Sequence, residues 1–252
     1  MMKEYLVWFI LFFILLVTLI SVKNNNFTSI QQTSGAEYII VENNSDLNYA
    51  VYAKYPQFKL NNLNNYQTQI HINQLLIDIA TEQITSFKNE VSLSRDANNY
   101  TNKLKFMLFI THTTEPTGSS IISVPFEVSI FNATYRSKTY NLTFNYDILE
   151  DKMLMLEDLF KPDSDYLQIL SKMARDDLKK QFKDSSFWPL IEKGTEPEEE
   201  NFKIFSLNTD SLFLFFNSPQ VAPPKGRTRV VRIYLKDIQS LFKEQYLPKL
   251  NS

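Results

Sequence analysis

From Tyr140 to Ile148 the chain alternates without exception, with Tyr140, Leu142, Phe144, Tyr146 and Ile148 at one set of positions and Asn141, Thr143, Asn145 and Asp147 at the other. A period of two predicts a β-strand with one core face and one wet face. Weaker versions of the pattern predict strands at Tyr38 to Val41, Tyr49 to Tyr55, Leu104 to His112 and Ile122 to Ile130. Pro125 interrupts the last of these and points to an edge or a bulge, because proline cannot donate to a ladder. Three more strands are predicted at Phe202 to Leu207, Leu212 to Phe216 and Arg229 to Leu235.

Elsewhere the period lengthens. Ile72, Leu75, Leu76, Ile79, Ile84, Phe87 and Val91 recur at helical spacing and predict one long helix over residues 66–91. Leu167, Leu170, Met173, Ala174, Leu178 and Phe182 predict a second, introduced by Pro162-Asp163-Ser164, and Ile238, Leu241 and Phe242 a C-terminal one. Strands and helices in this order predict an α+β fold, with antiparallel sheets each packed by a long helix, rather than the regular alternation of a parallel sheet.

The N-terminal pattern is different in kind. Residues 6–22, from Leu6 to Val22, hold no charged side chain and are fenced by Lys3, Glu4 and Lys23. At about 1.5 Å per residue a helix there would cover roughly 25 Å, the short end of a bilayer crossing. The run reads as an uncleaved signal anchor. A cleaved secretory signal is the alternative, although Leu19-Ile20-Ser21 makes a poor cleavage site. A large region beyond the run favours an N-in, C-out arrangement across the cytoplasmic membrane, with the folded part extracytoplasmic.

Polar, aperiodic residues follow, so the expected organisation is an anchor over 1–23, a flexible tether over 24–37 and two sequential α+β subdomains over 38–137 and 138–252. The subdomain boundary falls between Ala133 and Thr139, and a sheet could still run through it.

Composition narrows the chemistry. With 26 basic and 28 acidic side chains the net charge is -2, which offers no broad footprint for nucleic acid. With no cysteine the chain has no thiol nucleophile, thiolate ligand, lipoprotein anchor or disulfide. His71 and His112 are the only histidines, and they lack metal-binding spacing. The four glycines leave little room for a nucleophile elbow or a phosphate loop. Asp176-Asp177 and Glu198 to Glu200 are paired acids of the kind glycosidases use, but adjacent acids usually mark a solvated face. No catalytic residue, cofactor or metal ligand is therefore assigned. The five Asn-x-Ser/Thr sequons, at Asn26, Asn43, Asn99, Asn132 and Asn141, arise readily in an Asn-rich chain.

Two charged segments are candidate binding surfaces. Lys225, Arg227, Arg229 and Arg232 could meet phosphate-bearing envelope polymers or lipid head groups, or could simply guard an edge strand against pairing. The acidic stretch from Glu196 to Glu200 could attract a cationic protein or be an ordinary solvated loop.

A set of short motifs in order along the chain carries a resemblance: Tyr55-Pro56-Gln57-Phe58, Ile72-Asn73, Leu142-Thr143-Phe144-Asn145-Tyr146-Asp147, Leu156-Glu157-Asp158-Leu159-Phe160, and Phe215-Phe216-Asn217 followed by Val221-Ala222-Pro223. From Tyr38 to Phe242 the chain resembles a two-part extracytoplasmic module of unknown function. That module occurs in RsiV-like lysozyme-sensing anti-sigma factors and beside the catalytic domain of some peptidoglycan deacetylases. The resemblance implies a sensing or binding module of the bacterial cell envelope whose ligand is a cell-wall glycan or a lysozyme-like protein. The rival is a secreted or periplasmic carbohydrate-active hydrolase or a deacetylase-associated protein. Where many relatives have Gly-Ala-His, this chain has Tyr135 to Thr139, so a contact made there does not carry over. The five residues ahead of the apolar run are too few to hold a sigma factor. Tyr55, Asp158 and Asn217 read as structural residues.

Overall fold

The computed structural model describes residues 26–32, 37–60, 66–98, 105–114, 117, 120–131, 137–182, 184–223 and 227–246. The expected anchor over 1–23 and Lys225 lie outside the described residues. Seven strands form one sheet in chain order: β1 (Phe27–Gln32), β2 (Glu37–Asn44), β3 (Tyr49–Pro56), β4 (Phe106–His112), β5 (Ile121–Phe131), β6 (Ser137–Asp147) and β7 (Lys152–Met153). Three more form a second sheet: β8 (Phe205–Leu207), β9 (Ser211–Phe216) and β10 (Arg229–Tyr234), with β9 in the middle. The α+β class is the observed one.

Helix α1 (Tyr66–Asn98) follows the predicted stripe, burying Ile72, Leu76, Ala80, Ile84, Phe87 and Val91. It packs on β3 and β4. Because α1 carries the chain from β3 back to the start of β4, these strands are parallel, so the first sheet is not wholly antiparallel as expected. Helix α2 (Tyr166–Gln181) buries Leu170, Ser171, Ala174 and Leu178 and packs on β10. Short helices α3 (Trp188–Gly194), α4 (Glu199–Phe202) and α5 (Leu235–Ile238) complete the second unit. The expected C-terminal helix is α5 and a 3-10 turn only; Phe242 lies beyond it, bridged to Phe160.

Three further expectations are corrected. Phe27–Gln32, placed in the polar tether, is an edge strand paired with β2 in unbroken register, and Asn26 secures its start by accepting from Ser45 N at 2.8 Å and donating to Asp46 Oδ2 at 2.7 Å. Little of it is buried, so it shows no alternation to read. The boundary at 137/138 passes through the sheet, since β6 pairs with β5 along all of Ser137–Asp147. The two cores divide after β6 instead. Pro125 sits on an interior strand, and its carbonyl accepts from Thr113 N at 3.1 Å, just past the end of β4, so the donor it lacks falls where that ladder ends.

The fourth correction positions the site. The polar face of β6 is not wet: Asn141, Asn145 and Asp147 are buried, as is Ser123 beside them on β5. The second sheet lies over that face.

Candidate functional site: a cleft between the two sheets

Strand periodicity sends Leu108, Ile110, Val124, Phe126 and Val128 toward α1, and so sends Thr111, Thr113, Ser123, Pro125, Glu127 and Asn141 to the opposite face. On the second sheet Leu212, Leu214, Phe216, Val231 and Ile233 belong to the core with α2, which leaves Phe213, Phe215 and Val230 on the outer face. Where the faces diverge they enclose a cleft of about 290 Å³, apolar along Phe213, Phe215, Val230 and Pro125, and polar along Thr111, Thr113, Glu127 and Asn141. That volume is near the lower end for small-molecule sites, about 300–1,000 Å³.

Two polar joints hold the walls in place. At the closed end, Asn145 Nδ2 donates to Phe205 O at 2.9 Å, Ser123 Oγ donates to Asn145 Oδ1 at 2.6 Å, and Leu207 N donates to Ser123 Oγ at 2.8 Å. These side chains take the place of a neighbouring strand for β8, whose backbone would otherwise be buried without partners. Alongside, the Asn217 amide accepts from Asn141 N and donates to Asn141 O, both at 2.8 Å, filling a ladder position on the open side of β6. Asn141 Nδ2 in turn donates to Phe126 O at 3.1 Å.

Glu127 is the carboxylate of the cleft and is exposed, and no lysine or arginine lines it among the described residues. His112 also contributes to the lining. Its side chain is 3% exposed, and Nε2 lies 3.3 Å from Glu37 Oε1 without the geometry of a hydrogen bond. Burial holds the imidazole down to about 4, against the opposing pull of Glu37, so the ring is neutral at pH 7.

Of the predicted basic residues, Arg229 and Arg232 fall on opposite faces of β10. Arg229 points to the α2 side, its guanidinium 4.4 Å from the Phe182 ring centroid. Arg232 points to the other face, pairs with Asp210 at 3.0 Å and lies between the rings of Phe213 and Tyr234 at 5.7 and 4.6 Å. Arg227 is exposed on the approach to β10. Alternation along a single strand separates Arg229 from Arg232. Asp176 pairs with Lys172, Asp177 accepts from Gln181, and Glu198, Glu199 and Glu200 are exposed. Among the described residues no group of three His, Asp or Glu side chains could hold a metal ion.

The motif residues are built into the fold. Tyr55 is 2% exposed and stacked on Tyr38, Asp158 accepts from Met155 N and Lys152 Nζ, and Asp147 accepts from Leu149 N and Glu150 N in the turn after β6. Sequence reasoning missed Phe213 and Phe215 as cleft residues. Ser211–Phe216 reads Ser-Leu-Phe-Leu-Phe-Phe, apolar at both parities, and that is the signal of a strand with company on both faces.

Residues 157–231, from the turn before α2 into the middle of β10, match the family model described as a protein of unknown function, DUF3298. The second unit is thus DUF3298-like. Over 211 residues the chain is 28% identical to the peptidoglycan-N-acetylmuramic acid deacetylase PdaC of Bacillus subtilis (strain 168), an alignment that covers 83% of this chain and 42% of that protein. The chain therefore spans less than half the length of this relative. Its fold is shared with a crystal structure of a DUF3298 family member from Bacteroides fragilis NCTC 9343, at TM-score 0.51 and 11% identity, covering 90% of this chain and 96% of the other. A DUF3298 family protein from Pseudomonas aeruginosa PAO1 superposes with TM-score 0.50 at 11% identity, covering 88% of this chain and 94% of the other.

Proposed function

We propose that this protein is a non-catalytic binding module of the bacterial cell envelope, anchored in the cytoplasmic membrane by residues 6–22, whose extracytoplasmic region takes a cell-wall glycan into the cleft between its two sheets. The observation that carries the reading is the lining of that cleft. Phe213 and Phe215 offer apolar ring surface for a sugar, while Thr111, Thr113, Asn141 and Glu127 offer hydroxyl, amide and carboxylate partners for its hydroxyl and amide groups. Similarity to a deacetylase named for peptidoglycan supports the substrate class. Among the described residues no helix is long and apolar enough to cross a membrane, and the apolar run lies outside them.

A sedimentation assay with purified peptidoglycan, using the full chain in detergent, tests the reading. Retention that falls at least about tenfold in Phe213→Ala and Glu127→Gln supports it; no retention, or retention unchanged in both variants, overturns it. Protease accessibility of the C-terminal region in intact cells and spheroplasts tests the topology. The exposed acids Glu198, Glu199 and Glu200 support a second reading, capture of a lysozyme-like cationic protein, which predicts salt-sensitive binding to lysozyme that is lost when these acids are neutralised. Turnover of a glycan oligomer, abolished by removing one carboxylate, would replace both readings with a hydrolase.

A further inference from the structure

Among the described residues the two sheets have four edges, and three of them are protected. The outer side of β8 is capped by Ser123 and Asn145. β7 is only 2 residues long and begins with Lys152. β10 carries Arg229 and Arg232, and Gln181 Nε2 donates to Val230 O at 2.9 Å along its outer side. Capping, shortness and charge are the devices by which proteins keep edges from pairing. Among the described residues β1 has none of them. Its 6 residues, Phe-Thr-Ser-Ile-Gln-Gln, include no charge and no proline, and their register with β2 has no bulge.

We propose that β1 is a pairing edge and that its occupant is β1 of a second copy of this chain. An antiparallel β1–β1 ladder about a twofold axis normal to the sheet opposes no like charges, because the strand has none, and extends the antiparallel order of β1, β2 and β3 across the axis. The axis passes midway between the two copies of Ile30. That register sets Ile30 opposite its own copy, Ser29 opposite Gln31 and Thr28 opposite Gln32, so each residue meets one on the same face. Ile30 has reason to be there: it lies beside Ile40 on the core side of the sheet yet is 64% exposed, and pairing covers it. The strand also follows the apolar run 6–22 closely in sequence, so in a shared membrane the two edges are held near one height and at high effective concentration.

The absence of cysteine from the chain makes the test direct. For the full chain in detergent, light scattering should show a concentration-dependent dimer, and Ile30→Cys should give a covalent dimer on mild oxidation while Leu93→Cys, at a site 70% exposed on α1, does not. Ile30→Lys should weaken the dimer about tenfold or more through like charges across the axis, and Leu93→Lys should leave it unchanged. A chain that stays monomeric with no Ile30→Cys cross-link overturns the proposal, as does a dimer indifferent to Ile30→Lys.

Discussion

Ser123 and Asn145 face each other across β5 and β6, and Ser123 Oγ donates to Asn145 Oδ1 at 2.6 Å. The pair makes a buried two-residue strand substitute, because its remaining donor and acceptor engage Phe205 O and Leu207 N of β8. Replacing Asn145 with Ala leaves a buried carbonyl without its donor. We expect a loss of about 1–3 kcal/mol, read as a lowered urea midpoint. Asn145→Leu should do no better, since the defect is polar rather than one of volume.

Asn217 acts at the rim. Its amide exchanges two hydrogen bonds with the backbone of Asn141 and accepts a third from Thr228 Oγ1 at 2.9 Å. Asn217→Ala should cost about 1–3 kcal/mol, and Asn217→Asp, which still accepts but cannot donate, should cost less than the alanine. Urea unfolding of the two variants beside the parent decides the order.

Gly194, at the end of α3, is a position of close approach. A Cβ there would lie 2.8 Å from Val221 Cγ1 and 2.9 Å from the Gln220 carbonyl carbon, with the carbonyl oxygen closer still. Gln220 Nε2 donates to Gly194 O at 2.9 Å and to Asn201 O at 2.9 Å, so this segment has little freedom to retreat. Gly194→Ala should therefore destabilise by about 1–3 kcal/mol through overpacking, measured as a fall in Tm.

His112 should make stability fall on acidification. Burial holds its folded-state pKa down to about 4, below the ordinary 6.5 of an unfolded chain. Between those values the unfolded state binds a proton that the folded state refuses, so stability drops as pH falls from about 6.5 to about 4 and the dependence from this group ends below that. His112→Gln should flatten the stability profile in that window, checked by urea midpoints at a series of pH values.

The helices were legible because their apolar spacing is local: Ile72, Leu76, Ile84, Phe87 and Val91 all fall on the buried side of α1. The core face of β6 was legible for the same reason. Its other face was not. Asn141, Asn145 and Asp147 look like any solvent-facing set although all three are buried, and the partners that cover Asn145 and Asn141, Phe205 and Asn217, come more than fifty residues later. Nearness in sequence also did not reveal that β10 turns Arg229 and Arg232 to opposite sides. The cleft was invisible because its walls, Thr111 to Glu127 and Phe213 to Val230, come from distant segments.

By itself the sequence determined the α+β class, the two long helices, most strands and an apolar N-terminal run, because hydrophobic period and turn chemistry are properties of neighbouring residues. Only the tertiary structure decided that β1 belongs to the sheet, that β3 and β4 run parallel, that a polar strand face is a joint between two units, and that a cleft opens beside it. Those outcomes depend on which backbone edges and faces meet, and a buried donor or acceptor is satisfied by whatever group lies next to it in space rather than in sequence.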